Sequence, residues 1–449
     1  MRKACIGLVV FLLFSCGGGG GGSGGNSGAT SSGVFGAATL AGTFSYYRDG
    51  STNNPVSFLH AQDLDGDGVD EVIMVAFETQ PNTPADYSNT GVRIWGWRSG
   101  VFQDLTSTWL PGGIDQVGGV GDIAFGDFDG DGRLDVFLSA YTDMVHPVQA
   151  YALMNRGGYF VRVALGPQDW QHAVAAADVN GDGYTDVMVA GYSSTSPQYL
   201  GSATGLRPYQ GMVGSSGVTL GNFLGDARVQ AVFTDADGQP GGRSGPNDTA
   251  LFEIVVDNNN QTISFNRIAA LPQPPLTSEE NGVYASHDIR ARSVDFDSDG
   301  RLDVVVFSWL WPAPAAESAY RSEIQFLRNL GPGVFTDVTS TVRVGYDNTG
   351  QVGYAPAFRD FNGDGRLDLF VSDADFFSSG RHKSSTLLIQ QADKTFRDTA
   401  KSDLSNVIAS GGGKAVMVKG PAGKWYLVKE GAWQRDSLSR VWLHTVSGL

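Results

Sequence analysis

Five short acidic stretches hold the residues most able to do chemistry in this chain. In "DFDGDGRLD", Asp127, Asp129 and Asp131 occupy positions 1, 3 and 5, and Asp135 occupies position 9. The frame recurs as "DLDGDGVDE" (Asp63, Asp65, Asp67, Glu71) and "DVNGDGYTD" (Asp178, Asn180, Asp182, Asp186). It recurs again as "DFDSDGRLD" (Asp295, Asp297, Asp299, Asp303) and "DFNGDGRLD" (Asp360, Asn362, Asp364, Asp368). Oxygens at alternate positions of a tight loop suit calcium, which takes six to eight oxygen ligands at flexible geometry. The position-7 carbonyls of Val69, Arg133, Tyr184, Arg301 and Arg366 would add one ligand per loop, with water completing the shell. Magnesium is a poorer match because it demands near-octahedral geometry. The expectation is about five calcium ions, each pinning a turn in a structural role.

These loops are not EF-hands. An EF-hand needs a bidentate Glu at position 12 and a helix on each side. Position 12 is instead Met74, Leu138, Val189, Val306 or Val371, inside apolar runs such as "VFLSA" and "VVVFS". Each loop therefore runs straight into a strand. A glycine at position 6 (Gly68, Gly132, Gly183, Gly300, Gly365) fits a turn that needs positive φ.

The elements that position these loops also repeat. A short strand such as "DIAFG" precedes each loop, and a hairpin such as "IQFLRNLGPGVFTDVT" follows the second strand at a distance. A sixth frame, "NFLGDARVQ" from Asn222, has Leu224 and Gln230 where ligands belong, and is expected to close by packing. Four strands per repeat at this period close most naturally into a β-propeller. The motif "DxDGDGxxD" followed by "NxGxGxFxDVT" resembles the FG-GAP/VCBS repeat family, which includes the integrin α-subunit propellers. The resemblance covers residues 55–400 and implies an all-β, seven-bladed propeller with calcium loops between first and second strands. The seventh blade would join "KAVMVKGPAGKWYLVKEGAWQRDS" and "RVWLHTV" to an N-terminal strand near "AATLAGTFSYY".

If the acidic loops join strands one and two, the connections between strands two and three leave from the opposite end. Those connections carry Tyr87, Tyr141, His146, Trp309, Trp311, Tyr320, Phe376, Arg381 and His382, the candidate ligand-binding residues. His60, His172 and His287 are expected towards the same end. The paired tryptophans of "WLWPAP" suit stacking on a sugar or gripping a protein. Integrin-like propellers recognise ligands on this face, which the resemblance extends to the present chain.

Arg2 and Lys3 precede an apolar run too short to span a bilayer, the layout of a secretion signal. "LFSC" resembles a bacterial lipobox, giving a signal peptide over 1–15 and lipidation at Cys16. Residues 16–34, rich in Gly and Ser, read as a flexible tether, and 35–449 as the propeller. The expected location is the bacterial cell envelope, at the outer membrane or cell surface. With Cys5 in the signal and Cys16 lipidated, no cysteine is left to form a disulfide. A net charge of −16 without a basic stripe argues against nucleic acid. No H-E-x-x-H motif or phosphate-binding loop occurs, and the one G-x-S-x-G lies in the tether. Three readings follow: a surface binding or adhesion module for a glycan or protein, a polysaccharide lyase or hydrolase, and a purely structural surface protein.

Overall fold

The computed structural model describes residues 34–36, 38–44, 55–78, 91–113, 119–141, 148–191, 196–234, 249–273, 286–310, 322–344, 356–372, 385–398, 415–431 and 439–449. Their strands form antiparallel meanders, and each acidic loop joins the first two strands of its own meander. In the Asp63 sheet the order is Pro55–Gln62, Glu71–Glu78, Arg93–Arg98, Val101–Asp104. The Asp127 sheet runs Ile123–Gly126, Asp135–Leu138, Val148–Asn155, Phe160–Asp169. The Asp295 sheet runs Ser286–Val294, Asp303–Leu310, Ser322–Asn329, Phe335–Asp337. Ala357–Arg359, Asp368–Val371, Thr386–Gln390 and Phe396–Asp398 make the Asp360 sheet, with Arg343–Val344 added parallel to its outer strand.

Two further meanders share one eight-stranded sheet. The Asp178 half runs from Gln171–Ala177 to Arg207–Gln210, and the Asn222 half from Gly217–Gly221 to Thr262–Ala270. Their outer strands touch through one parallel pairing, Gln210 with Thr262. The closing sheet is discontinuous in sequence. Thr39–Phe44 pairs with Ser439–Thr445, which continues to Trp425–Gly431 and Ala415–Lys419. This is the end-to-end pairing that the residues outside the loop frames implied.

The core lies between sheets rather than inside any one of them. Phe137, Val148, Val187 and Tyr199 fill the space between the Asp127 and Asp178 meanders. Val416, Val418 and Val428 of the closing sheet pack on Leu59, Val72, Met74 and Trp95, while Met417 and Leu427 face Phe361, Phe370 and Leu387. Each sheet is thus buried on both faces, which is why second strands read as unbroken apolar runs. Val72, Ile73, Met74 and Val75 all have zero exposure. The architecture is an all-β propeller of four-stranded blades.

Candidate metal centres

Four of the five intact loops fold the same way around the position-1 carboxylate, and the Asp295 loop, with Ser298 at position 4, keeps only the bonds from Asp299 and Gly300. Asp127 Oδ1 accepts from the N–H groups of Gly130 (2.7 Å) and Asp131 (3.0 Å), and Oδ2 from Gly132 (2.8 Å). Asp63, Asp178 and Asp360 repeat this set. Gly132 sits at φ 81°, and a Cβ there would meet nothing within 4 Å, so the glycine serves conformation alone. The position-5 carboxylate caps the position-7 N–H, as in Arg133 N to Asp131 Oδ1 at 3.0 Å.

The position-9 carboxylates are buried and tie three segments together. Asp135 Oδ2 accepts from Phe128 N (3.0 Å) and Oδ1 from Asn155 N (2.7 Å), in the third strand. Asp186, Asp303 and Asp368 make the matching pairs, with Val179 and Gly201, Phe296 and Asn329, and Phe361 and Gln390. Burial pushes Asp135 and Asp368 up to about 6, Asp186 and Asp303 to about 7, and Glu71 to about 8. These backbone bonds pull the other way, and the neighbouring loop carboxylates reinforce the rise. A nearby cation would reverse it.

The donor set fits a metal ion. Ligand oxygens of Asp63, Asp65 and Glu71 lie within 4.8 Å of one another, as do those of Asp127, Asp129 and Asp135, and of Asp295, Asp297 and Asp299. Asp129 Oδ1 is buried without a hydrogen-bond partner, at the position-3 ligand site. Each oxygen of Asp135 accepts one N–H and keeps a second lone pair for a metal. The ion would be held by the side chains at positions 1, 3, 5 and 9 and the position-7 carbonyl.

Arginines distinguish the loops, a feature that reading position 7 only as a carbonyl missed. Arg133, Arg301 and Arg366 pair with the position-5 carboxylates Asp131, Asp299 and Asp364. Their Nε atoms donate to the carbonyls of Asn155, Asn329 and Gln390. Arg156 adds an ion pair to Asp129 (2.7 Å), and Arg328 one to Asp297 (2.6 Å). In the Asn180 and Asn362 loops the position-3 amide donates to Asp182 and Asp364. The Asp63 loop has neither device among the described residues.

A repeated clasp links each of three loops to the next blade. Asn155 Nδ2 donates to the Leu64 carbonyl (3.0 Å), Asn329 Nδ2 to Phe223 (2.9 Å) and Gln390 Nε2 to Phe296 (2.5 Å). In each case the acceptor is position 2 of the preceding loop. The Asn222 frame closes differently from the expected packing alone. Gln230 Oε1 accepts from Phe223 N and Leu224 N, doing as an amide what the position-9 carboxylate does elsewhere.

The far ends of the blades hold part of the other candidate set. Tyr141 is packed, edge-on to His172 at 5.4 Å and beside Trp170, and burial pushes its phenol up to about 12. Trp309 lies in the strand Asp303–Leu310, paired with His287 and Ser322, and not in the following loop. The apolar run carries the strand on to Leu310. Tyr87, His146, Trp311, Tyr320, Phe376, Arg381 and His382 lie outside the described residues, as do Cys16, the signal and the tether up to residue 33. His60 departs from the expected side. Gln62, two residues on, pairs with Glu71 at the acidic loop, so register puts His60 near the acidic end.

A propeller whose turns repeat one acidic frame defines the class of protein. Models of known families match within it: an FG-GAP-like repeat over residues 63–138 and 295–371, and an FG-GAP repeat over 170–206. The chain therefore carries FG-GAP and FG-GAP-like repeats. No curated protein matches it. Among solved structures, the Dos1 propeller is 11% identical, covering 92% of this chain and 96% of that one at a TM-score of 0.41. A protein from Lactobacillus plantarum is 13% identical, covering 82% and 93%, with a TM-score of 0.39. A GH43 β-xylosidase/α-arabinofuranosidase from a compost microbial metagenome, in calcium-free form with xylotriose, is 13% identical, covering 79% and 97% at 0.33.

Proposed function

We propose that this is a calcium-stabilised, seven-bladed propeller, held at a bacterial cell surface by lipid on Cys16, that binds a glycan or a protein. The count takes the eight-stranded sheet as two blades touching at their outer strands and the closing sheet as the seventh. Apolar cores between successive meanders support it. The observation that carries the functional reading is the two-ended build of the blades. One end is committed to nine-residue acidic turns held by their own backbone bonds. The second strands end on the other side, where long connections leave a rigid scaffold, the usual place for recognition.

The buried Asp122 and Arg290, 3.5 Å apart, favour one competing reading, a polysaccharide lyase or hydrolase. Both Asp122 oxygens already accept backbone N–H groups, from Ile123 and Val174, so the carboxylate is poorly placed to move protons. A glycan array combined with a product-release assay separates the readings. Binding without cleavage supports the module, and cleavage supports the enzyme. Silence on glycans and on captured protein partners leaves a structural role. Trp309→Ala with Trp311→Ala should weaken binding and spare calcium-dependent melting, whereas Asp299→Ala should cost stability first. Cys16→Ser should release the protein from membranes and abolish palmitate labelling.

A further inference from the structure

Asp70 is the buried carboxylate of the Asp63 loop that is not one of its candidate metal ligands. It stands between two of them, after the Val69 carbonyl at position 7 and before Glu71 at position 9. Its partners come from two other sheets. Oδ2 accepts from the N–H of Lys419 at 2.7 Å, and the Asp70 N–H donates to the Lys419 carbonyl at 2.8 Å. Lys419 ends Ala415–Lys419, the first strand of the closing sheet. The same Oδ2 takes the guanidinium of Arg359 at 2.5 Å, and Arg359 also donates to the Ala61 carbonyl at 3.1 Å.

Arg359 immediately precedes Asp360, the position-1 carboxylate of another acidic loop. Between the Asp63 and Asp360 sheets lies the closing sheet, packed on both. Its own turn at the matching place, Pro421–Gly423, offers no carboxylate. Arg359 passes over the ring of Trp425 in this sheet, 5.8 Å from the centroid. Adjacent loops elsewhere are joined by third-strand amides such as Asn155 and Gln390. Here the joint is an ion pair, and it skips a sheet. The Asp70 side chain is 4% exposed, so the pair is half withdrawn from water, where charge-assisted hydrogen bonds hold best.

We propose that the Arg359–Asp70 pair couples ion occupancy of the Asp360 loop to that of the Asp63 loop across the closing sheet. The proposal rests on the calcium reading above. Filling the Asp360 loop holds Asp360 and hence its neighbour Arg359. Arg359 holds Asp70, and with it the Val69 carbonyl and Glu71 on either side. Emptying the loop leaves its like charges to repel one another and loosens that anchor. Such coupling is reciprocal, so each loop favours an ion in the other.

Hydrogen exchange read by mass spectrometry during a calcium titration of the full chain gives each loop its own midpoint. Asp364→Asn removes a ligand from the Asp360 loop alone. It should raise the calcium midpoint of the Asp63-loop peptide at least about fivefold, the lower end of coupling between sites. With Arg359→Gln present, the same substitution should leave that midpoint where it was. Asp70→Asn keeps an oxygen for Lys419 but drops the charge, so it should also break the link, and it serves if Arg359→Gln misfolds. An Asp63-loop midpoint that Asp364→Asn does not move, or moves equally in both link variants, would overturn the coupling. Calcium protection of both loops in that experiment would leave the calcium reading standing, whereas no protection at any loop would overturn both.

Discussion

Calcium removal should change stability by an amount that grows with pH. An ion held 100-fold above its dissociation constant and bound only by the folded state contributes about 2.7 kcal/mol. Five such loops give about 13 kcal/mol. The compact unit Gly33–Leu449 unfolds with about 0.9 kcal/mol per kelvin of entropy, at roughly 2.1 cal/mol/K per residue. Chelation at neutral to mildly alkaline pH should therefore lower Tm by about 15 °C. The pH dependence follows from the position-9 carboxylates, whose folded values near 6 to 8 lie above the ordinary range near 4. Between those limits the calcium-free fold binds more protons than the unfolded chain, so its stability falls as pH rises. The calcium-loaded fold keeps these groups ionised and escapes that loss. The gap between loaded and chelated melting temperatures should be small at pH 5 and full at pH 8. Differential scanning calorimetry with and without EDTA, alongside elemental analysis, measures it. A gap as large at pH 5 as at pH 8, or no gap in protein shown to be metal-free, would refute the reasoning.

Other substitutions probe the scaffold. Asn155→Ala removes the donor to the buried Leu64 carbonyl and the part-buried Leu134 carbonyl, costing about 2–3 kcal/mol and a few degrees of Tm. Asn155→Asp should do no better in the same melts, because it can only accept. Gly132→Ala should cost about 1–2 kcal/mol through left-handed backbone strain alone, read by denaturant titration. Arg156→Ala removes a partly exposed cation from Asp129 and Asp131. A pair worth about 1 kcal/mol implies roughly fivefold tighter ion binding at that one loop, measurable by terbium luminescence.

The acidic frames were legible in the sequence because every ligand lies within nine residues and the turn glycine has one conformational job. The strands were legible because burial on both faces writes itself as "VIMVAF" and "VVVFS". What escaped was contact at long range. Asn155, Asn329 and Gln390 meet loops 91, 106 and 94 residues away, and nothing local marks a third-strand amide as a clasp. At Arg133, Arg301 and Arg366 the sequence offers only a carbonyl to the loop, because a side chain's partner two residues off looks like a solvated pair. Composition places Trp309 in a loop, although a strand carries it as readily. Arg290 meets Asp122 of another blade, a contact that nothing local in either stretch marks.

The closing sheet sets an order of events in synthesis. Thr39–Phe44 is made among the first strands, yet its partner Ser439–Thr445 is made some 400 residues later. Until then the ring has a gap, and the apolar face of Leu59, Val72 and Met74 lacks the Val416, Val428 and Val441 that cover it. Blades in the middle of the chain can form as they emerge, but the whole waits for its final stretch. A premature stop or a proteolytic nick upstream of Ser439 would therefore strand the earliest residues as surely as the latest.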